Sequence, residues 1–121
     1  MLQQRVHNMS YLAKAIINLD EIENGYKALV LPKGAEITHL SVEVLEEVSS
    51  ATLSVGLNEN NNFFMNAIDI GTRKSYLSEV ISSVKDISEI TITTAGVTQM
   101  TSGKIVLRMI YFLPSQITTE Y

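Results

Sequence analysis

The stretch VLPKGAEITHLSVEVLEEVSSATLSVG, Val30 to Gly56, decides the fold class. Pro32 and Gly34 make a sharp turn, because proline restricts φ and glycine accepts backbone conformations closed to other residues. Beyond it, Leu40, Val42 and Val44 occupy one parity of Ile37–Glu46, while His39, Ser41 and Glu43 occupy the other. A period of two belongs to a strand with one buried and one solvated face. Ala51–Leu57 repeats the pattern, with Ala51, Leu53, Val55 and Leu57 facing one way and Thr52, Ser54 and Gly56 the other. Glu46, Glu47, Val48, Ser49 and Ser50 join the two, a connection short enough for either a hairpin or a corner between two sheets.

Upstream, Tyr11–Leu19 and Tyr26–Leu31 read as strands separated by Asp20–Gly25, whose Asn24-Gly25 dipeptide is a turn signal. Downstream, Gly56 releases the chain into a polar Asn58–Asn62 loop. Phe63–Ile70 follows as a strand with Phe64, Ile68 and Ile70 on one parity, and Gly71–Ser75 is a further turn. Ser88–Ala95 and Lys104–Phe112 close the series, joined by Gly96–Gly103, which reads as a hairpin loop. Tyr76–Ile87 supports two readings. Leu77, Val80, Ile81 and Val84 fit a helical stripe, whereas the serines and β-branched residues suit a weak strand. About seven or eight short strands at roughly ten-residue spacing predict an all-β fold, an antiparallel β-sandwich or jelly-roll-like single domain.

The 121 residues suit one domain and one hydrophobic core. Residues 11–113 carry the alternation; 1–10 and 114–121 lack it and are expected to be flexible terminal arms that order on a partner. Apolar residues make up 45% of the chain and charged ones only 18%, so it is expected to fold and to have part of its surface covered by other protein. The net charge of −4, with basic residues scattered singly, argues against nucleic acid, whose binding needs lysines and arginines presented together. No apolar run approaches the ~20 residues of a membrane span and no export signal is recognisable, so neither membrane nor secretion is expected. Without cysteine there is no disulfide framework, thiolate zinc site or cysteine nucleophile.

No constellation reads as catalytic. Glu43, Glu46 and Glu47 cluster, but Glu43 lies on a wet parity and the others at the strand exit, as a solvated face would have them. His39 and His7 have no visible triad or metal partner. Gly96–Ile105 superficially resembles a phosphate loop, yet six residues separate its glycines where the motif has four, and Ile105 stands where a magnesium-binding hydroxyl belongs. Asn58–Asn62 offers oxygen ligands without the acidic spacing of a calcium loop. Asn8-Met9-Ser10 is a glycosylation sequon that matters only in a secreted eukaryotic protein. The chain is therefore expected to be no enzyme and to bind no cofactor or metal. Five methionines and several aromatics could serve a binding face. Phe63 and Tyr111 stand out, because their parity opposes that of Phe64 and Phe112 and only one of each pair can face the core.

Leu31, Pro32, Gly34 and Ala35, then Thr52 to Gly56, then Phe64 and Asp69, then Gly103 and Tyr111 form a sequence pattern that resembles small structural proteins of tailed bacteriophages. It spans about two-thirds of the chain. The resemblance implies a virion protein, foremost a decoration (cement) protein on the outer surface of the phage head, made in the bacterial cytoplasm. The implied partner is the major capsid protein; the chain is also expected to pair with itself, as a homodimer before a trimer, because twofold self-pairing of a strand edge is the commonest closed arrangement. The other role it implies is a tail or head-fibre module with a carbohydrate-binding jelly roll, which needs an exposed aromatic beside polar groups in a concave site. The residues expected to meet partners are Arg5, Tyr11, His39, Glu43, Phe63, Tyr111 and Tyr121.

Overall fold

The computed structural model describes residues 3–6, 10–113 and 117–120, the first and last of these as backbone strands. Eleven strands follow in order: β1 Gln3–Val6, β2 Ser10–Asn18, β3 Tyr26–Leu31, β4 Glu36–Glu46, β5 Thr52–Leu57, β6 Asn60–Asp69, β7 Ser75–Leu77, β8 Ser82–Ser83, β9 Ser88–Ala95, β10 Lys104–Phe112 and β11 Ile117–Glu120. Pairing is antiparallel and nested: β1 with β11, β2 with β10, β3 with β9, β4 with β7 and β8, and β5 with β6. Two further ladders, β10–β4 and β9–β5, join these pairs into sheets ordered β2-β10-β4-β7 and β3-β9-β5-β6. This is the jelly-roll arrangement of a β-sandwich, a long hairpin rolled so that its two halves face each other. The alternation read from the sequence therefore builds the predicted fold.

The core lies between the sheets. Leu40, Val42 and Val44 of β4 and Ile105, Leu107 and Met109 of β10 meet Leu53 and Val55 of β5 and Ile90 and Ile92 of β9, all buried. These are the apolar parities of their strands, so period two becomes one filled interior.

Bulges in β3, β4 and β6 change the parity that simple alternation assigns. In β4 the pairing passes from Ile110–His39 to Tyr111–Ile37, leaving Thr38 as an extra residue. Ile37 therefore reaches the core although it shares the parity of His39. Ala28 is the extra residue between Lys27 and Leu29 in β3. In β6 the chain bulges twice against β5, once at positive-φ Ala67, whose amide donates to Ser54 Oγ at 2.9 Å. The other β6 bulge lets adjacent Phe64 and Met65 both enter the core, with Phe63 edge-on to Phe64 at 4.9 Å between ring centroids.

Connections also differ from the sequence reading. β9 and β10 lie in different sheets, so Gly96–Gly103 is an arch across the sandwich and not a hairpin loop. Both of its end glycines have positive φ, and Gly103 packs against Val48 and Leu19, where a Cβ would meet Val48 Cγ2 at 2.6 Å. Glu46–Ser50 is the corner alternative, since β4 and β5 also lie in different sheets. Among the described residues the one tight hairpin is β5–β6, and it takes Asn60–Asn62 into β6, leaving only Asn58 and Glu59 as its turn. Tyr76–Ile87 is extended, with β7 and β8 both along β4. Ser78 explains why no helix forms there. Its hydroxyl accepts from the Val80 amide at 3.0 Å and donates to the Phe64 carbonyl at 3.0 Å, bonds that compete with helical ones.

Candidate interaction surface

Residues directly opposite one another in an antiparallel sheet share a face, so the registers define the outer surface of the β2-β10-β4-β7 sheet. One row is Leu12, Ile110 and His39; the next is Lys14, Arg108, Ser41 and Leu77; the third is Ile16, Val106, Glu43 and Ser75. Leu12, Ile16 and Leu77 are 63%, 60% and 65% exposed. Between them Arg108 Nη1 donates to Glu43 Oε1 at 2.7 Å, and Lys104 Nζ lies 3.6 Å from Glu46 Oε2. The face thus mixes exposed aliphatic side chains with neutralised ion pairs, a composition suited to lying against another protein.

Two of the residues expected at an interface, His39 and Glu43, share this face. Tyr11 and Tyr111 are opposite one another on the inner side, at the end of the sandwich, with rings stacked 5.3 Å apart and 24° between planes. Tyr111 packs on the core, as does Phe63 at the edge of the other sheet, so the parity argument that only one aromatic of each pair can face the core fails for Phe63 and Phe64. The bulge in β6 is the reason. Arg5 lies in β1 opposite Thr118. His7, Asn8, Met9 and Tyr121 lie outside the described residues.

Sequence reasoning passed over Leu12 and Ile16. A signal was present: β2 has apolar residues on both parities, Leu12 and Ile16 on one and Ala13, Ala15 and Ile17 on the other, so neither of its faces is wholly polar.

Concave features are shallow. A depression of about 500 Å³ runs over Glu21–Lys27 and includes Tyr26, 41% exposed. Another, lined by Lys27, Asn58, Glu59, Glu89 and Thr91, is spanned by the Lys27–Glu89 ion pair at 3.4 Å. Asn58 is occupied structurally: its Oδ1 accepts from the Glu89 amide at 2.9 Å and its Nδ2 donates to Ser88 Oγ at 3.3 Å. Among the described residues no three histidine or acidic side chains gather as a metal site, and no helix is long and apolar enough to cross a membrane.

A jelly-roll brick whose outer face mixes apolar side chains with ion pairs suits a structural, interaction role, and the comparisons with known proteins agree. A chain in the acidic-stable capsid structure of Helicobacter pylori bacteriophage KHP30 is 32% identical, superposes with a TM-score of 0.79, and is matched over 99% of this chain and 100% of its own length. Chains in the cyanophage Pam1 capsid asymmetric unit (TM-score 0.71, 16% identity, 89% of this chain and 87% of that one) and in the capsid of Ralstonia phage GP4 (0.67, 16%, 93% and 88%) share the fold. No protein-family model and no curated protein sequence matches. The chain belongs to the family of small β-sandwich structural proteins of tailed-phage capsids.

Proposed function

We propose that this capsid component is a decoration, or cement, protein that binds the outer surface of the major capsid shell and stabilises it. The observation that carries the reading is the end-to-end match, 99% of one chain against 100% of the other, to a chain within a phage capsid structure. A chain of this size that folds as a single sandwich, without a fibrous repeat or deep cleft among its described residues, suits a clamp over seams between shell subunits. Interfaces on the order of 1,000 Å² each become strong when several are engaged at once. Self-association belongs to the proposal, with a homodimer first and a trimer second, since twofold closure is the commonest oligomeric arrangement. So do synthesis in the host cytoplasm and a division into an arm at 1–10, a sandwich at 11–113 and a tail at 114–121. The antiparallel pairing of β1 with β11 favours the two ends working together.

The deciding experiment is the copy number of this chain relative to the major shell protein in purified particles, by quantitative mass spectrometry. A ratio near one, or a simple fraction such as one half, is expected. A ratio of a few per cent would move the protein to a vertex, tail or fibre. The depression at Tyr26, with Glu23, Asn24 and Lys27 beside an exposed aromatic ring, is the observation favouring that carbohydrate-binding role. A glycan array without a hit would remove it. Deleting residues 1–10 is expected to weaken attachment to shells without unfolding the sandwich, and unchanged attachment would exclude the arm.

A further inference from the structure

A β-sandwich exposes strand edges, and proteins blunt such edges with short strands, bulges or charges because a long, flat one is a template for another chain. Three of the four edges of the two large sheets are blunted. β3 carries the Ala28 bulge beside Lys27, β6 bulges twice, and the remaining edge is formed by the three-residue β7 and the two-residue β8. β2 differs. It runs nine residues in unbroken register with β10, from Asn18–Lys104 to Ser10–Phe112, and nothing among the described residues pairs with its other edge.

The phase of the β2–β10 ladder identifies which backbone groups that edge offers. The Leu19 amide donates to the Gly103 carbonyl at 2.9 Å, continuing the same register. Hydrogen-bonded and non-hydrogen-bonded pairs alternate in antiparallel sheets, so Ile17, Ala15 and Ala13 exchange bonds with β10, while Leu12, Lys14 and Ile16 turn their N–H and C=O groups outward. These three residues also carry the side chains of the outer face, two exposed aliphatics flanking a lysine. Lys14 makes no ion pair among the described residues, where the four ion pairs use Lys27, Arg73, Lys104 and Arg108.

That lysine selects the occupant. β2, SYLAKAIIN, contains no aspartate or glutamate. Pairing β2 with β2 of a second copy over its full length sets Lys14 against Lys14, and sliding by one hydrogen-bonded pair sets it against Leu12 or Ile16. No self-pairing supplies a counter-charge, and like charges directly opposite are destabilising. A foreign strand with an acidic residue between two apolar ones, at alternate positions, satisfies the edge, the lysine and both aliphatic side chains together.

We propose that β2 is a strand-addition site that takes an extended segment of the shell protein with the alternating pattern apolar, acidic, apolar, the acid opposite Lys14. This rests on the cement reading and leaves self-association to another surface.

The test compares the wild-type chain with Lys14→Glu and Ile16→Pro in binding to undecorated shells assembled from the major capsid protein. Ile16→Pro removes an outward N–H and leaves the β10 ladder intact. Each variant is expected to bind about tenfold more weakly or worse, as lost charge pairing and lost edge bonds imply. Sedimentation of the isolated proteins is expected to show the wild-type oligomeric state in both, and amide exchange at Leu12, Lys14 and Ile16 is expected to slow when wild-type protein binds shells. Failure of the wild-type chain to bind shells overturns the cement reading itself. Wild-type binding with undiminished binding by Lys14→Glu, or with unslowed exchange at these amides, overturns the edge proposal alone. A changed oligomeric state in either variant makes a second copy the occupant and overturns the assignment to a shell segment. Should Ile16→Pro unfold, Lys14→Glu and the exchange measurement still decide.

Discussion

Gly56 of β5 lies directly beneath the backbone of Asn61 in β6, so close that a Cβ on Gly56 would stand 2.6 Å from Asn61 Cα. The β6 bulge folds over its own hairpin partner at this point, which requires a residue without a side chain. Gly56→Ala is expected to destabilise the sandwich by about 3 kcal/mol, because the obstructing atoms are backbone and cannot step aside. Urea unfolding would show a lower midpoint with an unchanged slope. A loss under about 0.5 kcal/mol, the range of neutral surface substitutions, would mean that the bulge yields freely.

Asn58 holds the same hairpin against β9 at φ 53°, with its side chain bonded to Glu89 and Ser88. Asn58→Ala loses those bonds and keeps the unfavourable backbone conformation, whereas Asn58→Gly loses the bonds but relieves the conformation. The alanine variant is therefore expected to be less stable than the glycine variant by about 1 kcal/mol, in thermal or urea melts of the two side by side.

Arg108 and Glu43 meet at 2.7 Å with each side chain about one-third exposed. Solvent screening keeps such a pair weak. A double-mutant cycle with Glu43→Gln and Arg108→Met is expected to give a coupling of no more than about 1 kcal/mol that shrinks as salt is raised. A larger, salt-independent coupling would show that the pair behaves as a buried one.

The stacked Tyr11 and Tyr111 join the first full strand of the sandwich to its last. Coupling between Tyr11→Leu and Tyr111→Leu is expected near 1 kcal/mol, the usual worth of an aromatic pair beyond its buried area. Leu107→Ala, deep in the core, is expected to cost about 3 kcal/mol and sets the scale for these smaller effects.

The candidate surface was only partly legible. His39 and Glu43 were assigned correctly to the wet side of β4, because their parity relative to Leu40, Val42 and Val44 is unbroken. Strict alternation would put Ile37 on that same wet side, yet it is buried, because the Thr38 bulge between it and His39 depends on how β10 pairs, and β10 is about seventy residues away. The parity argument for Phe63 and Phe64 failed at the β6 bulge, whose place is set by the register of β6 against β5. Leu12 and Ile16 look like core residues in the sequence and are surface because they point to the outer face of the sheet, at its β2 edge.

By itself the sequence determined that the chain is all-β: alternation in Ile37–Glu46, Ala51–Leu57 and Lys104–Phe112, punctuated by Asn24-Gly25 and Pro32–Gly34, is a local property and needs no partner to be read. Tertiary structure alone decided which strands pair, where a bulge reverses parity, that Gly96–Gly103 arches between sheets, and that β2 is left with an open edge. Each of those follows from contacts between distant segments. Burial of a side chain is set by the sheet opposite it, and exposure of an edge by which strand ends the sheet.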